Sequence, residues 1–284
     1  MFGSETVSLL ETLNPLSRFN AVSEFTVDHD SHTASAHHNR SAIRLLSWNI
    51  NKNNNSQHWQ CEFRQLLRQQ QPDKIFLQEV RLCASAAHTD SKSVFGLSDI
   101  APGWSWSFAP NFIDSATKTY SGVLTATNTR RISSQSLTTD HTEPILQTPK
   151  ATLFAEYSLS ERSENLLTVN THLINFVGID KFKQQLQSIE AVLRRHSGAI
   201  ILSGDFNTWS SARWQQLLSM SDRLGLASVS FNAQDTQKIK NFLSSPPLDH
   251  IFYRGFEQKF LTSTVVDSLT SSDHYPLIVE LCRR

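Results

Sequence analysis

Ala199-Ile200-Ile201-Leu202-Ser203-Gly204-Asp205-Phe206-Asn207 decides how the rest of the chain is read. Its first four residues are an uninterrupted apolar run, with a serine and a glycine after it, which is the pattern of a buried strand. A carboxylate and an amide follow at once. A second stretch has the mirror arrangement: Ser272-Asp273-His274 comes just before the apolar run Pro276-Leu277-Ile278-Val279. Strand ends hold side chains at fixed positions on a rigid scaffold. Carboxylates, amides and imidazoles in such places are the groups that hold a divalent cation, activate water and grip a phosphate.

Outward from these motifs, strand and helix patterns alternate. Ile43 to Ile50, Lys74 to Val80, Ser121 to Thr127, Ala151 to Leu159 and Leu166 to Leu173 read as strands. So do Leu248 to Tyr253, Phe260 to Val266 and Pro276 to Leu281. Trp104-Ser105-Trp106-Ser107-Phe108 alternates like an exposed strand. Trp59, Phe63, Leu66 and Leu67 have helical spacing, with Pro72 beyond the helix end. Asp180 to His196 is the clearest helix, with Phe182, Leu186, Ile189, Val192 and Leu193 on one face, and Ala212 to Leu224 is another. The pattern predicts an α/β layered domain over residues 42–284. Residues 1–41 are rich in Ser, Thr, Asn and His and read as a polar, partly ordered extension. Leu9, Leu10, Leu13 and Leu16 could pack one short helix from it onto the body.

The chain has 284 residues, with 26 Lys and Arg against 26 Asp and Glu. That balance disfavours a protein that clamps long DNA through many phosphates. Cys61, Cys83 and Cys282 are odd in number and lack CxxC spacing, which reads as reduced thiols rather than a disulfide or zinc framework. No transmembrane segment or secretory leader is read, so a cytoplasmic location is expected, and no protein partner is predictable.

Glu79 ends the apolar run Ile75-Phe76-Leu77 and is a candidate hard-cation ligand. Asn49 could orient Glu79 or sit in the outer shell of the metal. Asp205 and Asn207 are one residue apart on an extended segment, so both could face one cleft. Asp205 could take a proton from water there, although the same residues also suit an Asx turn. His172 and His274 could stabilise charge on a phosphoryl group. Asp249 could fix the tautomer of His274, and Asp273 would be free to approach the metal or its water. His250, beside Asp249, is expected to face away. Phosphate-loop, HExxH and GxSxG signatures are absent. Arg130-Arg131 and Lys238 to Lys240 read as solvated loop charge, and Trp104 and Trp106 as sheet packing rather than base-stacking platforms.

Trp48-Asn49-Ile50, Gln78-Glu79, Tyr120 to Val123, Asn170-Thr171-His172, Gly204 to Asn207, Leu248 to Phe252 and Ser272 to Leu277 occur in the order of motifs in the endonuclease/exonuclease/phosphatase superfamily. The chain resembles that superfamily from about residue 43 to 281, most closely its bacterial YafD-like branch. The resemblance implies a DNase I-like four-layer α/β/β/α sandwich with two packed mixed sheets. It implies a magnesium-dependent phosphoester hydrolase, with manganese able to substitute. Metal ligation would fall to Glu79, Asn49 and Asp273, and catalysis to His172, Asp205, Asn207, Asp249 and His274. The general base could be Asp205 or His274. The foremost expectation is a phosphodiesterase, with nucleic acid as its candidate substrate. A hydrolase of phospholipid headgroups, inositol phosphates or other small phosphoesters is the alternative, and a non-catalytic binding module is a third.

Overall fold

The computed structural model describes residues 18–31, 33–35, 41–84, 103–159, 164–243 and 245–284. The helix expected around Leu9 to Leu16 lies outside them. In chain order the strands before the first helix are β1 (Phe19–Ala21), β2 (Val27–His29) and β3 (Ala42–Asn49). Next come α1 (Gln57–Gln70), β4 (Lys74–Cys83), β5 (Ser105–Asp114), β6 (Thr119–Thr127), β7 (Arg131–Thr138), β8 (Ala151–Ser158) and β9 (Asn165–His172). The rest is α2 (Ile179–Leu193), β10 (Ala199–Asp205), α3 (Ser211–Arg223), β11 (Ala227–Ser228), α4 (Ala233–Lys238), β12 (Asp249–Arg254), β13 (Phe256–Val265) and β14 (Leu277–Arg283).

The strands form two sheets. One has the order β1-β5-β6-β4-β3-β14-β13, with β2 also on β5, and the other has the order β11-β12-β10-β9-β8-β7. Both are mixed, because each is built around one parallel pair, β3 with β4 and β9 with β10. A parallel pair needs a crossover, and α1 and α2 supply them. Trp59, Phe63 and Leu66 of α1 pack on Trp48, Ile75 and Leu77. Phe182, Leu186 and Ile189 of α2 pack with Leu217 of α3 on Val169 and Leu202. Between the sheets, Leu45, Phe76 and Val279 meet Leu166, Ile201 and Ile251. The result is the α/β/β/α sandwich.

The reading of the segment Trp104 to Phe108 as an exposed strand needs correction. Phe108 is fully buried and Trp106 nearly so, because Val22, Phe25 and Val27 cover them. The covering segment lies within the stretch read as a polar extension, and its strands β1 and β2 pair with β5. Arg131 is likewise no solvated charge. Its guanidinium holds Asp28 at 3.1 Å and Asp30 at 2.9 Å, tying β7 of one sheet to the β2 region of the other. The three cysteines are free.

Candidate active site

The carboxyl ends of both parallel pairs point to the same edge of the sandwich, the usual place for a ligand in sheets with crossover helices. Asp205 ends β10, and its strand neighbours in register are His172 on one side and Asp249 on the other. One sheet thus sets three polar groups side by side at one level. From the facing sheet, Asn49 Nδ2 reaches across and donates to Asp205 Oδ2 at 2.9 Å. Asn49 therefore orients Asp205, not Glu79. The pairing of β10 with β9 beneath this group depends on Gly204, where φ is +152° and an added Cβ would lie 1.9 Å from the Thr171 carbonyl oxygen.

Asp205 is almost wholly buried, and burial raises its pKa, with the Asp249 charge adding to the rise against the opposing pull of His172 and His274. Its Oδ2 lies 3.6 Å from His172 Nε2 and 3.9 Å from His274 Nε2. Its Oδ1 accepts from the Asn207 backbone N–H at 3.0 Å, so the Asx turn and the cleft-facing carboxylate coexist. Asn207, with φ of 48°, donates its side-chain amide to the Leu173 carbonyl at 2.8 Å.

The two histidines have pKa values shifted in opposite directions. Burial drives His172 down to about 4, and Lys150 pushes the same way, outweighing Asp205 and Glu79. Burial also works against charge on His274, but Asp249, hydrogen-bonded to Nδ1 at 2.7 Å, Asp205 and Asp273 together raise it to about 9. His274 is held in place by its own backbone, because its carbonyl accepts from Trp48 Nε1 at 2.8 Å. Ser272 Oγ donates to the Asn49 carbonyl at 2.7 Å. Asp205, Asp249 and His274 offer ligand atoms within 4.8 Å of one another. The short Asp249–His274 hydrogen bond occupies Nδ1 and leaves Nε2 facing Asp205, so the trio could move a proton or hold a cation.

Glu79 lies beside the cluster at a register shift between β4 and β6, with φ of 55°. A bulge re-aims a side chain, and here it turns the carboxylate into the cleft. Burial opposes its charge, but His172, Lys52 and Lys150 hold its pKa down to about 2, and Lys52 Nζ sits 2.7 Å from Oε2. Asp273 is not brought into the cluster. Its side chain is 55% exposed and pairs with Lys240 Nζ at 3.1 Å. His250 faces away, hydrogen-bonded to Thr208 Oγ1 and stacked on Trp214.

Sequence reasoning missed several supports. Asn170 donates to the Leu77 and Leu124 carbonyls and accepts from Gln78 Nε2 at 2.8 Å, joining the two sheets beneath the site. Its place in Asn170-Thr171-His172, one strand repeat before His172, was the available signal. The buried Arg213 donates to the carbonyls of Ile174, Val177 and Asn207 and so braces the loops after β9 and β10. Lys52 and Lys150 carry no sequence signal that separates them from other lysines.

This architecture and cleft are those of a phosphoester-hydrolase scaffold. The chain belongs to the endonuclease/exonuclease/phosphatase family, whose model matches residues 46–274. It is 33% identical over 238 residues to a UPF0294 protein of Vibrio parahaemolyticus, covering 84% of this chain and 76% of that one. An endonuclease/exonuclease/phosphatase from Beutenbergia cavernae has the same fold, with a TM-score of 0.66 and 16% identity, over 86% of this chain and 72% of that one. The catalytic domain of human Nocturnin, with sulfate bound, superimposes with a TM-score of 0.60 at 18% identity, over 92% and 98% of the two chains. Among the described residues, no helix is long and apolar enough to cross a membrane.

Proposed function

We propose that the chain is a magnesium-dependent phosphodiesterase acting on nucleic acid, with manganese able to replace magnesium. The carrying observation is Asp205, a buried carboxylate of raised pKa with Asn49, His172 and His274 around one oxygen. The donors fit a hard cation: Glu79 is an ionised carboxylate in the cleft, and the amide oxygen of Asn49 accepts from the Asn51 N–H at 3.0 Å and keeps a second lone pair. Those two residues would hold the ion, and Asp273, exposed on Lys240, is left out. When bound, the ion supplies Lewis-acid stabilisation of charge on the phosphoryl oxygens.

The chain's own groups divide the remaining work. His274 is already protonated at neutral pH, so it does not serve as the base. Asp205 does, and its raised pKa makes it a better proton acceptor than an ordinary carboxylate. His274 presents its Nε2–H to the charge developing on phosphorus-bound oxygens, with Asp249 fixing the ring and sustaining the cation. His172, neutral, contributes an N–H without a charge to neutralise. Asn207 keeps one amide N–H for a phosphoryl oxygen after donating the other to Leu173.

The test is hydrolysis of bis-p-nitrophenyl phosphate and single-stranded DNA with magnesium and with chelator. Asp205→Asn should lower turnover by about 10²–10⁴. Activity indifferent to the chelator would remove the metal, and a fully active Asp205→Asn protein would remove the base.

A further inference from the structure

The Glu79 carboxylate faces Lys52, whose Nζ lies 2.7 Å from Oε2. Both residues have left-handed backbone, with φ of 55° at Glu79 and 61° at Lys52, and Asn51, just before Lys52, has φ of 47°. Residues other than glycine rarely adopt this conformation, and it persists only where the surroundings fix it. Here the Lys52 N–H donates to the Glu79 carbonyl at 2.9 Å, and the Asn51 N–H donates to Asn49 Oδ1 at 3.0 Å. Asn53 closes the turn: its N–H donates to the Ile50 carbonyl at 3.0 Å and its side chain to the Ser271 carbonyl at 2.8 Å. Lysine has a long, flexible stem and reaches carboxylates from relaxed backbone. A strained turn that sets one ammonium on one carboxylate is more than that pairing requires.

The two partners differ in their freedom. Glu79 Oε2 is closed to solvent, whereas the Lys52 side chain is 31% exposed. The ammonium has a way out, and the oxygen has none. A cation drawn to that oxygen must therefore turn Lys52 away. The released ammonium then lacks a counter-charge, and in a phosphoester hydrolase the anion that arrives is the substrate. Lys150, another ammonium near Glu79, is not placed to compete, because it pairs with Glu143 Oε1 at 3.2 Å.

We infer that Lys52 competes with the metal ion for Glu79 and so ties uptake of the ion to arrival of the anionic substrate, an inference that rests on the metal reading of Glu79 proposed above. The coupling is reciprocal: phosphate strengthens binding of the ion by the same factor as the ion strengthens binding of phosphate. The ion is then a companion of the substrate rather than a permanent part of the protein.

The experiment is binding of Mn²⁺, read without turnover from the electron paramagnetic resonance signal of the free ion. Lys52→Met should bind Mn²⁺ at least about threefold more tightly than wild type, the order expected when one partly exposed ion pair no longer competes. Lys52→Arg keeps a cation on Glu79 and should bind Mn²⁺ no more tightly than wild type. A lysine that merely props up Glu79 predicts the reverse, since its removal would loosen the carboxylate and weaken binding. Excess inorganic phosphate should tighten Mn²⁺ binding by wild type more than by Lys52→Met. Thermal unfolding will show that each variant is folded. Unchanged or weaker Mn²⁺ binding by folded Lys52→Met, or an equal phosphate effect in both proteins, would overturn the inference. Failure of the metal reading looks different and takes this inference with it: none of the three proteins binds Mn²⁺, with phosphate or without.

Discussion

Asp249→Asn tests the charge logic of the site directly. The substitution keeps the shape of the side chain and removes its charge 2.7 Å from His274 Nδ1. In the wild type the ring titrates at about 9 against an ordinary 6.5. That difference corresponds to about 3 kcal/mol favouring the folded, protonated state. Because the folded value lies above the unfolded one, this stabilisation is complete below pH 6.5 and is lost as pH rises through about 9. In the variant, burial remains and the strongest opposing charge is gone. The pKa of His274 should then fall well below 9, so that fewer of the rings carry charge near neutral pH. Histidine-labelled protein titrated by NMR reads this without any substrate, and His274→Gln assigns the resonance. Urea unfolding between pH 6 and 10 should show the wild-type advantage over the variant shrinking through pH 9. A ring that still titrates near 9 in Asp249→Asn would refute the reasoning.

Three further outcomes concern the scaffold. Asn170→Leu leaves the Leu77 and Leu124 carbonyls and the Gln78 amide without their shared partner, and should cost about 2–5 kcal/mol in urea unfolding; a loss under about 1 kcal/mol would mean that the inter-sheet amide is dispensable. Gly204→Ala places a Cβ against the Thr171 carbonyl, so expression of soluble protein should fall or its melting temperature drop by several degrees, and a wild-type melting temperature would contradict the close approach. Glu190 accepts from Arg194 and Arg223, whose hydrogen bonds hold its pKa at about 2 against burial. The Glu190 carboxylate therefore stabilises the α2–α3 packing above about pH 4.5 and loses that effect as pH falls toward 2. Glu190→Gln should cost about 1 kcal/mol at pH 7, because both arginines are half-exposed, and the gap to wild type should close in acid.

The strands legible in the sequence are the ones buried on both faces. Ile43 to Ile50 and Ile200 to Asp205 carry apolar residues on both faces, because each faces the other sheet on one side and a helix on the other. β7 was missed for the converse reason. It is an edge strand with the sequence Arg131-Ile132-Ser133-Ser134-Gln135-Ser136-Leu137-Thr138, half in water, with no apolar period to find. Trp104 to Phe108 was read with the correct alternation and the wrong surroundings, since a single sequence window does not reveal that Val22 and Phe25 return to cover it. At the site, residue types were legible and partners were not. Asn49 could be seen to end a strand, but which carboxylate it meets depends on how the two sheets face each other. Asp273 sits next to His274 in sequence, yet its orientation depends on Lys240, 33 residues away.

The same dependence on tertiary placement explains why two histidines equally buried titrate so differently. His172 and His274 sit within 4 Å of one carboxylate oxygen, and the backbone gives no reason for them to differ. The difference lies in their second neighbours: Lys150 and Lys52 act on His172, whereas Asp249 and Asp273 act on His274. Titratable groups pushed apart by their environments mark a division of acid and base roles. Exchanging the environments should therefore matter more than exchanging the rings. Lys150→Met should raise the pKa of His172 while leaving His274 near 9, and an unmoved His172 would mean that burial alone sets its charge.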